Sequence, residues 1–457
     1  MKIYSHSQLF LRSDQFQEST ARRFLFRFVF LVAAAFSAGS SVWAQPMGSL
    51  AHDPASIDEL LTAGHASNPE LQATYYRWQA AQEEIPARRA LPDPTIGYVH
   101  YLESVETRVG PQEGAANLSQ RLPWFGKLRL EGRIGRAKAA AAFYQYHSAV
   151  QRVSAEIAAT YWHFLYLQQS IRITEQNLEL LRDWERVALS KYTTAQAGHP
   201  DIIKAQIEVL SLEDRLESLK QRLGPLARKL SAAVGRPLTV EDIAIGAFPV
   251  YQLPSTLDSL QNELSQNNPE LLAQETRTEA GQLAYRRSKL NYLPDFILGG
   301  NLILTGENPA LGNNPENGKD PVMISLGLSL PIHLKKNRAL KQAARAQWRS
   351  AELSAHNIAN RLRSQMELAL YEFQDALRKV RLYQEALIPR AEQAVSAAEA
   401  AYIGDKVDFL TLIDAQRVYL DYQLSLQRAL ADQAIQYSQI KALLGRYVPE
   451  AHSQEEN

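Results

Sequence analysis

The sequence predicts a mainly α-helical chain with a transmembrane β-hairpin pair and an internal two-fold repeat. Three observations predict it: short words that occur twice about 200 residues apart, paired segments of alternating polarity, and long helical runs nearly free of proline. Asn68-Pro69-Glu70-Leu71 returns as Asn268-Pro269-Glu270-Leu271, and Leu91-Pro92-Asp93 as Leu293-Pro294-Asp295. Leu122-Pro123 matches Leu330-Pro331, and Tyr161 matches Tyr371. Tyr192, Ala205-Gln206 and Gly235-Arg236 match Tyr402, Ala415-Gln416 and Gly445-Arg446. The offset grows from 200 through 202 and 208 to a constant 210, and its largest step falls in a loop, where extra residues cost little.

The front of the chain stands apart from the repeat. Arg22, Arg23 and Arg27 precede the apolar run Phe28 to Phe36, and Val42-Trp43-Ala44 precedes Gln45. A basic region, an apolar core and a small-residue cleavage site read as a secretory signal over 1–44. A later start codon and a twin-arginine signal at Arg22-Arg23 are the alternatives within that reading. The exported chain contains no cysteine, which excludes a disulfide framework, a thiolate metal site and a lipid-acceptor thiol. Without the seven charged residues of the signal, 49 positive and 49 negative charges become 44 and 47, a balance that argues against nucleic acid as a partner. No later stretch approaches the roughly 18 apolar residues of a spanning helix, so any membrane crossing must use strands.

Repeat one is expected over 45–250 and repeat two over 251–449, followed by a tail at 450–457. Each opens with a helix, Asp53 to Arg89 and Thr256 to Tyr292, interrupted at the Asn-Pro-Glu-Leu word. Asparagine as cap, proline in the first turn and an acid at the positive end are helix-start chemistry. Leu91-Pro92-Asp93 and Leu293-Pro294-Asp295 then stop the helix, because proline forces its predecessor out of helical geometry.

Strands are expected at about 95–103 and 115–122, and again at about 295–305 and 321–330. Phe296, Leu298, Leu302 and Leu304 share one face, and Val322, Ile324, Leu326 and Leu328 alternate with Met323, Ser325, Gly327 and Ser329. Thr95 to Leu102 is the weakest of the four, because both its faces are similarly apolar. Segments of this length and period match strands of outer-membrane barrels. The stretches Glu103 to Gly114 and Gly306 to Asp320, rich in Gly, Pro, Asn and Glu, read as exposed hairpin tips.

Long helices follow at 126–192 and 334–402, with Pro389 the only proline in either run, and the chain returns in helices at 201–233 and 407–445. At 1.5 Å per residue, a run of roughly 67 residues makes a rod on the order of 100 Å. Leu210, Leu212, Leu216, Leu219 and Leu223 give the apolar stripe of coiled-coil packing. Four strands cannot close a barrel, and open edges are not tolerated in lipid. Several chains must therefore pool their strands, and the rods extend as a helical cylinder on the far side.

Taken in this order, the doubled words and the segment Pro123-Trp124-Phe125-Gly126-Lys127 make the chain resemble the TolC-type outer-membrane efflux factors, from Gln45 to about Pro449. The resemblance implies a homotrimer with a twelve-stranded barrel, four strands per chain. It also implies a periplasmic tunnel of twelve helices, with a mixed girdle supplied by Arg236 to Pro254 and the residues after Gly445. It implies docking to a periplasmic adaptor and an inner-membrane pump, and an exit duct for drugs, metal ions or proteins through the outer membrane and its lipid. Lacking a mature N-terminal cysteine, the chain is similar to the non-lipidated members.

In that family the helix turns form a periplasmic tip where acidic rings constrict the tunnel. Asp414, directly before Ala-Gln, stands at one ring position; Thr411 stands where a second acid often occurs, so Asp408 and Asp405 become further pore candidates. Acids at a helix start also simply complement the helix dipole, which is the plainer reading. Tyr192, Gly198, His199, Asp201, Ala205, Gln206, Tyr402, Gly404, Ala415 and Gln416 are the adaptor-docking candidates at the tip. Asp201 equally fits a first-turn role, and His199 a solvated one. Trp124 and Phe125 read as a membrane-interface belt. Ten scattered histidines, no glycine-rich phosphate loop and no serine elbow leave no catalytic motif, and neither a cofactor nor a metal site is expected. A type I protein secretion duct of the same fold, and a soluble periplasmic coiled-coil scaffold without a barrel, remain the alternatives.

Overall fold

The computed structural model describes residues 54–194, 198–253 and 255–448. The expected signal peptide 1–44 and tail 450–457 lie outside the described residues. Helices α1 (Ile57–Ser67) and α2 (Pro69–Arg89) open the first repeat, and α5 (Leu257–Asn267) and α6 (Pro269–Lys289) open the second. Ser56 starts α1 with a capping box: its hydroxyl accepts from Glu59 N while the Glu59 carboxylate accepts from Ser56 N at 2.7 Å. The breaks between the paired helices fall at Asn68 and Asn268. Each asparagine caps its own helix, with Asn68 Oδ1 accepting from Leu71 N and Asn268 Oδ1 from Leu271 N, both at 3.1 Å.

The same two side chains also reach across the fold. Asn68 Nδ2 donates to Ala233 O at 2.7 Å, and Asn268 Nδ2 donates to Leu443 O at 2.9 Å. Those carbonyls end the returning helices α4 (His199–Val234) and α9 (Phe409–Leu443), where helical partners run out. Gly235 (φ 82) and Gly445 (φ 71) sit just beyond in left-handed geometry. A Cβ there would stand 2.6 Å from Ser67 O and 2.7 Å from Asn267 O, so glycine permits the close approach. The Asn-Pro-Glu-Leu and Gly-Arg words are thus two halves of one contact, built twice.

The sheet is antiparallel in the order β1-β2-β3-β4, with β1 Thr95–Thr107, β2 Gly110–Leu122, β3 Asp295–Thr305 and β4 Val322–Ser329. Ile96 pairs with Leu118, Leu118 with Gly300, and Gly300 with Ile324, so one face of the sheet carries Ile96, Tyr98, Leu118, Leu298, Leu302, Ile324 and Leu326. Asn117, Asn301, Ser119 and Ser325 lie on the other. This register decides the ambiguous first strand, assigning Ile96 and Tyr98 to the apolar face. The expected hairpin tip at 103–114 is corrected. A register shift between His100 and Val105 lets pairing resume, and Thr107 pairs with Gly110, leaving only Arg108 and Val109 between β1 and β2. Backbone ladder bonds hold that extension, which is why its polar side chains hid it.

Helix α3 (Lys127–Thr193) runs unbroken for 67 residues. Its counterpart does not. The expected helix 334–402 divides into α7 (Leu334–Leu382), a π-helical turn at Tyr383–Leu387, and α8 (Ile388–Ile403). The cause is Pro389, which lacks an N–H and would clash with the carbonyl four residues back, so the chain widens there. Helix α3 packs mainly against α2 and α4 of its own repeat and α6 and α9 of the other; α7 packs mainly against α5, α6 and α9 of its own. The central core gathers Ile157, Phe164 and Leu230, and a second one lies around Leu264, Met366 and Phe373. Among the described residues, no helix is long and apolar enough to cross a membrane.

Asn268→Ala removes the cap and strands the buried Leu443 carbonyl, and should cost about 2 kcal/mol. Asn268→Ser keeps a cap while losing the reach, and should cost roughly half as much. Thermal unfolding of the detergent-solubilised protein, followed by far-ultraviolet circular dichroism, checks the order; equal losses would refute the double role.

Candidate functional site

At the strand-to-helix junction, Asp295 opens β3 and collects donors from β2 and α3. Its Oδ2 accepts from Arg121 Nη2 at 2.8 Å, while Oδ1 accepts from Trp124 N at 2.9 Å and from Lys127 Nζ at 2.7 Å. Lys127 Nζ also donates to Leu293 O at 3.2 Å. The Lys127 and Asp295 side chains are 8% and 10% exposed, so each charge depends on the other for its solvation. Trp124 stacks on Phe296 at 5.6 Å, and Phe125 stays 79% exposed. Beneath the strands lies a cavity of about 920 Å³, whose lining includes Asp93, Arg121, Lys127, Asp295 and Lys336.

At the opposite end, Lys191 in the last turn of α3 clasps the end of α8. Its Nζ donates to Tyr402 O at 2.5 Å, to Ile403 O at 3.2 Å and to Asp405 Oδ1 at 2.6 Å. A cation at a helix C-terminus is favoured by the exposed carbonyls. Gly404 ends α8, and Asp405 follows with φ 57, a conformation that aspartate tolerates better than most residues.

Asp408 has an assigned task. Its carboxylate caps α9, accepting from Thr411 N at 3.0 Å and Thr411 Oγ1 at 2.6 Å. The threonine that replaced an expected acid is therefore the partner of the acid expected to stand in for it. The reading of Asp408 as a free pore acid is revised to a cap. Asp414 differs: it is 60% exposed, and its nearest cation, Arg417, lies 3.5 Å away and is held chiefly by Glu208 of α4. The Glu208 carboxylate beside it pushes the Arg417 guanidinium above its ordinary range.

Gly198 precedes α4, Pro200 occupies its first turn, and half-buried Asp201 is the acid there. The exposed His199 ring lies 5.7 Å from that of Tyr192. Gln206 is exposed and Ala415 half-buried. Ala205, Tyr402 and Gln416 are withdrawn from the docking surface: they are 0%, 5% and 6% exposed. Ala205 and Tyr402 pack into the tip core with Phe409, and Gln416 donates to Asn177 Oδ1. Burial pushes the Tyr402 phenol up, and the nearby Asp201 and Asp405 carboxylates add to the rise. Sequence reasoning missed Lys191, Glu208, Arg417 and Asn177, whose partners lie more than 200 residues away along the chain. Among the described residues, no group of three or more His, Asp or Glu is placed to hold a metal ion.

Comparison with known proteins bears on the whole chain. The family model for outer membrane efflux proteins matches residues 60–236 and 260–446. The chain belongs to the outer membrane efflux protein family. Its two matched stretches fall one in each repeat. The chain is 24% identical over 414 residues to nodulation protein T of Rhizobium leguminosarum bv. trifolii, covering 85% of this chain and 86% of that protein. It is 20% identical over 401 residues to the cobalt-zinc-cadmium resistance protein CzcC of Cupriavidus metallidurans, covering 86% and 90%. Its fold matches the outer membrane protein VceC of Vibrio cholerae with a TM-score of 0.71 at 17% identity, covering 85% and 96% of the two chains. As a member of the outer membrane efflux proteins, the chain lies in the outer membrane, with its helices extending into the periplasm. The fold is a helical tunnel joined to barrel strands.

The bonds from Thr411 hold the Asp408 carboxyl below its usual range. A lowered folded-state value means the unfolded segment takes up its proton first. The cap therefore stabilises fully above the ordinary carboxylate range and is lost as pH falls through the depressed value. Hydrogen exchange at the Thr411 amide should accelerate, beyond the intrinsic pH effect, as pH falls below the ordinary carboxylate range. Asp408→Asn should flatten that dependence; an unaltered profile would contradict it.

Proposed function

We propose that three copies of this chain pool their strands in a twelve-stranded barrel and act as the outer-membrane channel of a tripartite efflux pump. The observation that carries this is the sheet: its apolar face is continuous across four strands, yet β1 and β4 are edges. Ile96, Ile324 and Leu326, on that face, are 82%, 84% and 74% exposed, a surface suited to lipid and unsuited to water. That face argues against a soluble scaffold. Trp124 and Phe125, at the foot of the strands, are read as the interfacial belt.

Below the barrel, the long helices form a periplasm-spanning exit duct for small molecules or metal ions; the metal reading draws support from the name of CzcC. The chain is read as a duct, not an enzyme. Its tip meets a periplasmic adaptor through the exposed Tyr192, His199 and Gln206, and the adaptor links it to an inner-membrane pump. Asp414, exposed and loosely held, is the carboxylate assigned to the pore. Three copies around the axis attract cations when the tip opens and repel one another when it closes. Asp405, tied to Lys191, belongs to the latch holding the closed turn.

Planar-bilayer recordings test the assignment. Asp414→Ala should weaken block by multivalent cations by roughly five- to tenfold, the scale of a partly screened ring of charge. Asp408→Ala, the loss of a cap, should leave block unchanged. Equal block in wild type and Asp414→Ala would remove Asp414 from the pore. Recovery of an adaptor and a pump with the crosslinked protein tests the tripartite reading; recovery of a secretion system instead would favour protein export.

A further inference from the structure

The internal repeat specifies a contact that one chain cannot make. Within the chain, β2 of repeat one pairs with β3 of repeat two, and the junction below that seam is fastened by Asp295. The donor is Lys127, four residues past Pro123; the acceptor follows Leu293-Pro294. Each partner has an equivalent in the other repeat. Lys335 stands four residues past Pro331, and Asp93 follows Leu91-Pro92. These two lie at opposite edges of the sheet, below β4 and β1, so the equivalent seam cannot form within one copy. Both are exposed, and neither has an ion-pair partner among the described residues.

The helices carry the same asymmetry. Tyr161 and Tyr371 are equivalent, yet Tyr161 is 5% exposed and Tyr371 is 65% exposed. Helix α3 has its neighbours α6 and α9 from the other repeat, whereas α7 lacks the matching cover of α2 and α4. What is missing is the first repeat of another copy.

We propose that Lys335 of one copy of this chain donates to Asp93 of a second copy, fastening the β4–β1 seam between subunits as Lys127 and Asp295 fasten the β2–β3 seam within one. The inference rests on the pooled-barrel reading and adds to it the residues that lock the seam. By the same equivalence, Lys335 Nζ also reaches Leu91 O, the counterpart of Leu293 O. The intersubunit joint lacks one element: Arg121, the second cation on Asp295, corresponds to Ser329, so the seam between copies carries a single cation. Assembly then buries Asp93 and Lys335 together, and loss of either strands the other.

Charge reversal tests the pair. Lys335→Glu and Asp93→Lys should each lower the temperature at which the outer-membrane oligomer dissociates in SDS. The double variant Asp93→Lys with Lys335→Glu should recover most of that loss. Lys336→Glu, altering a residue of the cavity lining, should have the smaller effect. Because the chain has no native cysteine, Asp93→Cys with Lys335→Cys gives a second, independent reading with a short bifunctional maleimide. Covalent dimers and trimers are expected from that pair, and only intrachain links from Lys127→Cys with Asp295→Cys. An intact oligomer that yields no intermolecular 93–335 product, or a charge swap that recovers nothing, overturns the seam. A wild-type protein that forms no oligomer in the outer membrane overturns the pooled barrel itself.

Discussion

A strand edge exposed to lipid leaves a row of amide and carbonyl groups with no partner, and that constraint governs this molecule. Four strands with an apolar outer face meet it only by finding another sheet edge. The chain is built around that demand: β1 and β4 lie at the two ends of the sheet, and each runs directly into or out of a helix. The junctions must hold the helices at a fixed angle to the strands. Asp295, gathering a guanidinium, an ammonium and a backbone N–H, does this at the centre of the chain.

The tip obeys a different economy. Its polar contacts are a cap and two half-exposed charge contacts: Asp408 with Thr411, Lys191 with the end of α8, and Arg417 with Glu208. In each charge contact one partner is open to water, which competes for it and weakens the pair. The rod behind them is secured by burial of Leu178, Trp184, Leu212 and Leu420, an area-dependent term that does not yield to small shifts.

Equivalent residues in the repeat do not share one environment. Gln206 faces solvent while Gln416 is buried on Asn177, and Tyr161 is covered while Tyr371 is open. One strand-to-helix junction carries Trp124-Phe125 and the other Ile332-His333, so only one bears an aromatic pair packed against Phe296. Duplication supplied the architecture; the two copies differ in that one is covered where the other is open.

The sequence by itself determined the two-fold plan, the four strands, and the helix starts at Asn68 and Asn268. Each follows from local chemistry: caps, proline stops, alternation and helical period act over a few residues and leave readable words. Tertiary structure alone decided that the Asn-Pro-Glu-Leu and Gly-Arg words are halves of one contact, and that β1 and β2 stay paired nearly to their turn. It decided too that Asp408 serves Thr411 while Asp414 is held only loosely by Arg417, and that Lys191 and Asp295 are the fastenings. Those choices join residues separated by as many as 214 positions, through backbone carbonyls and single charges. Such partners carry no periodic signature along the chain, and only packing brings them within bonding distance.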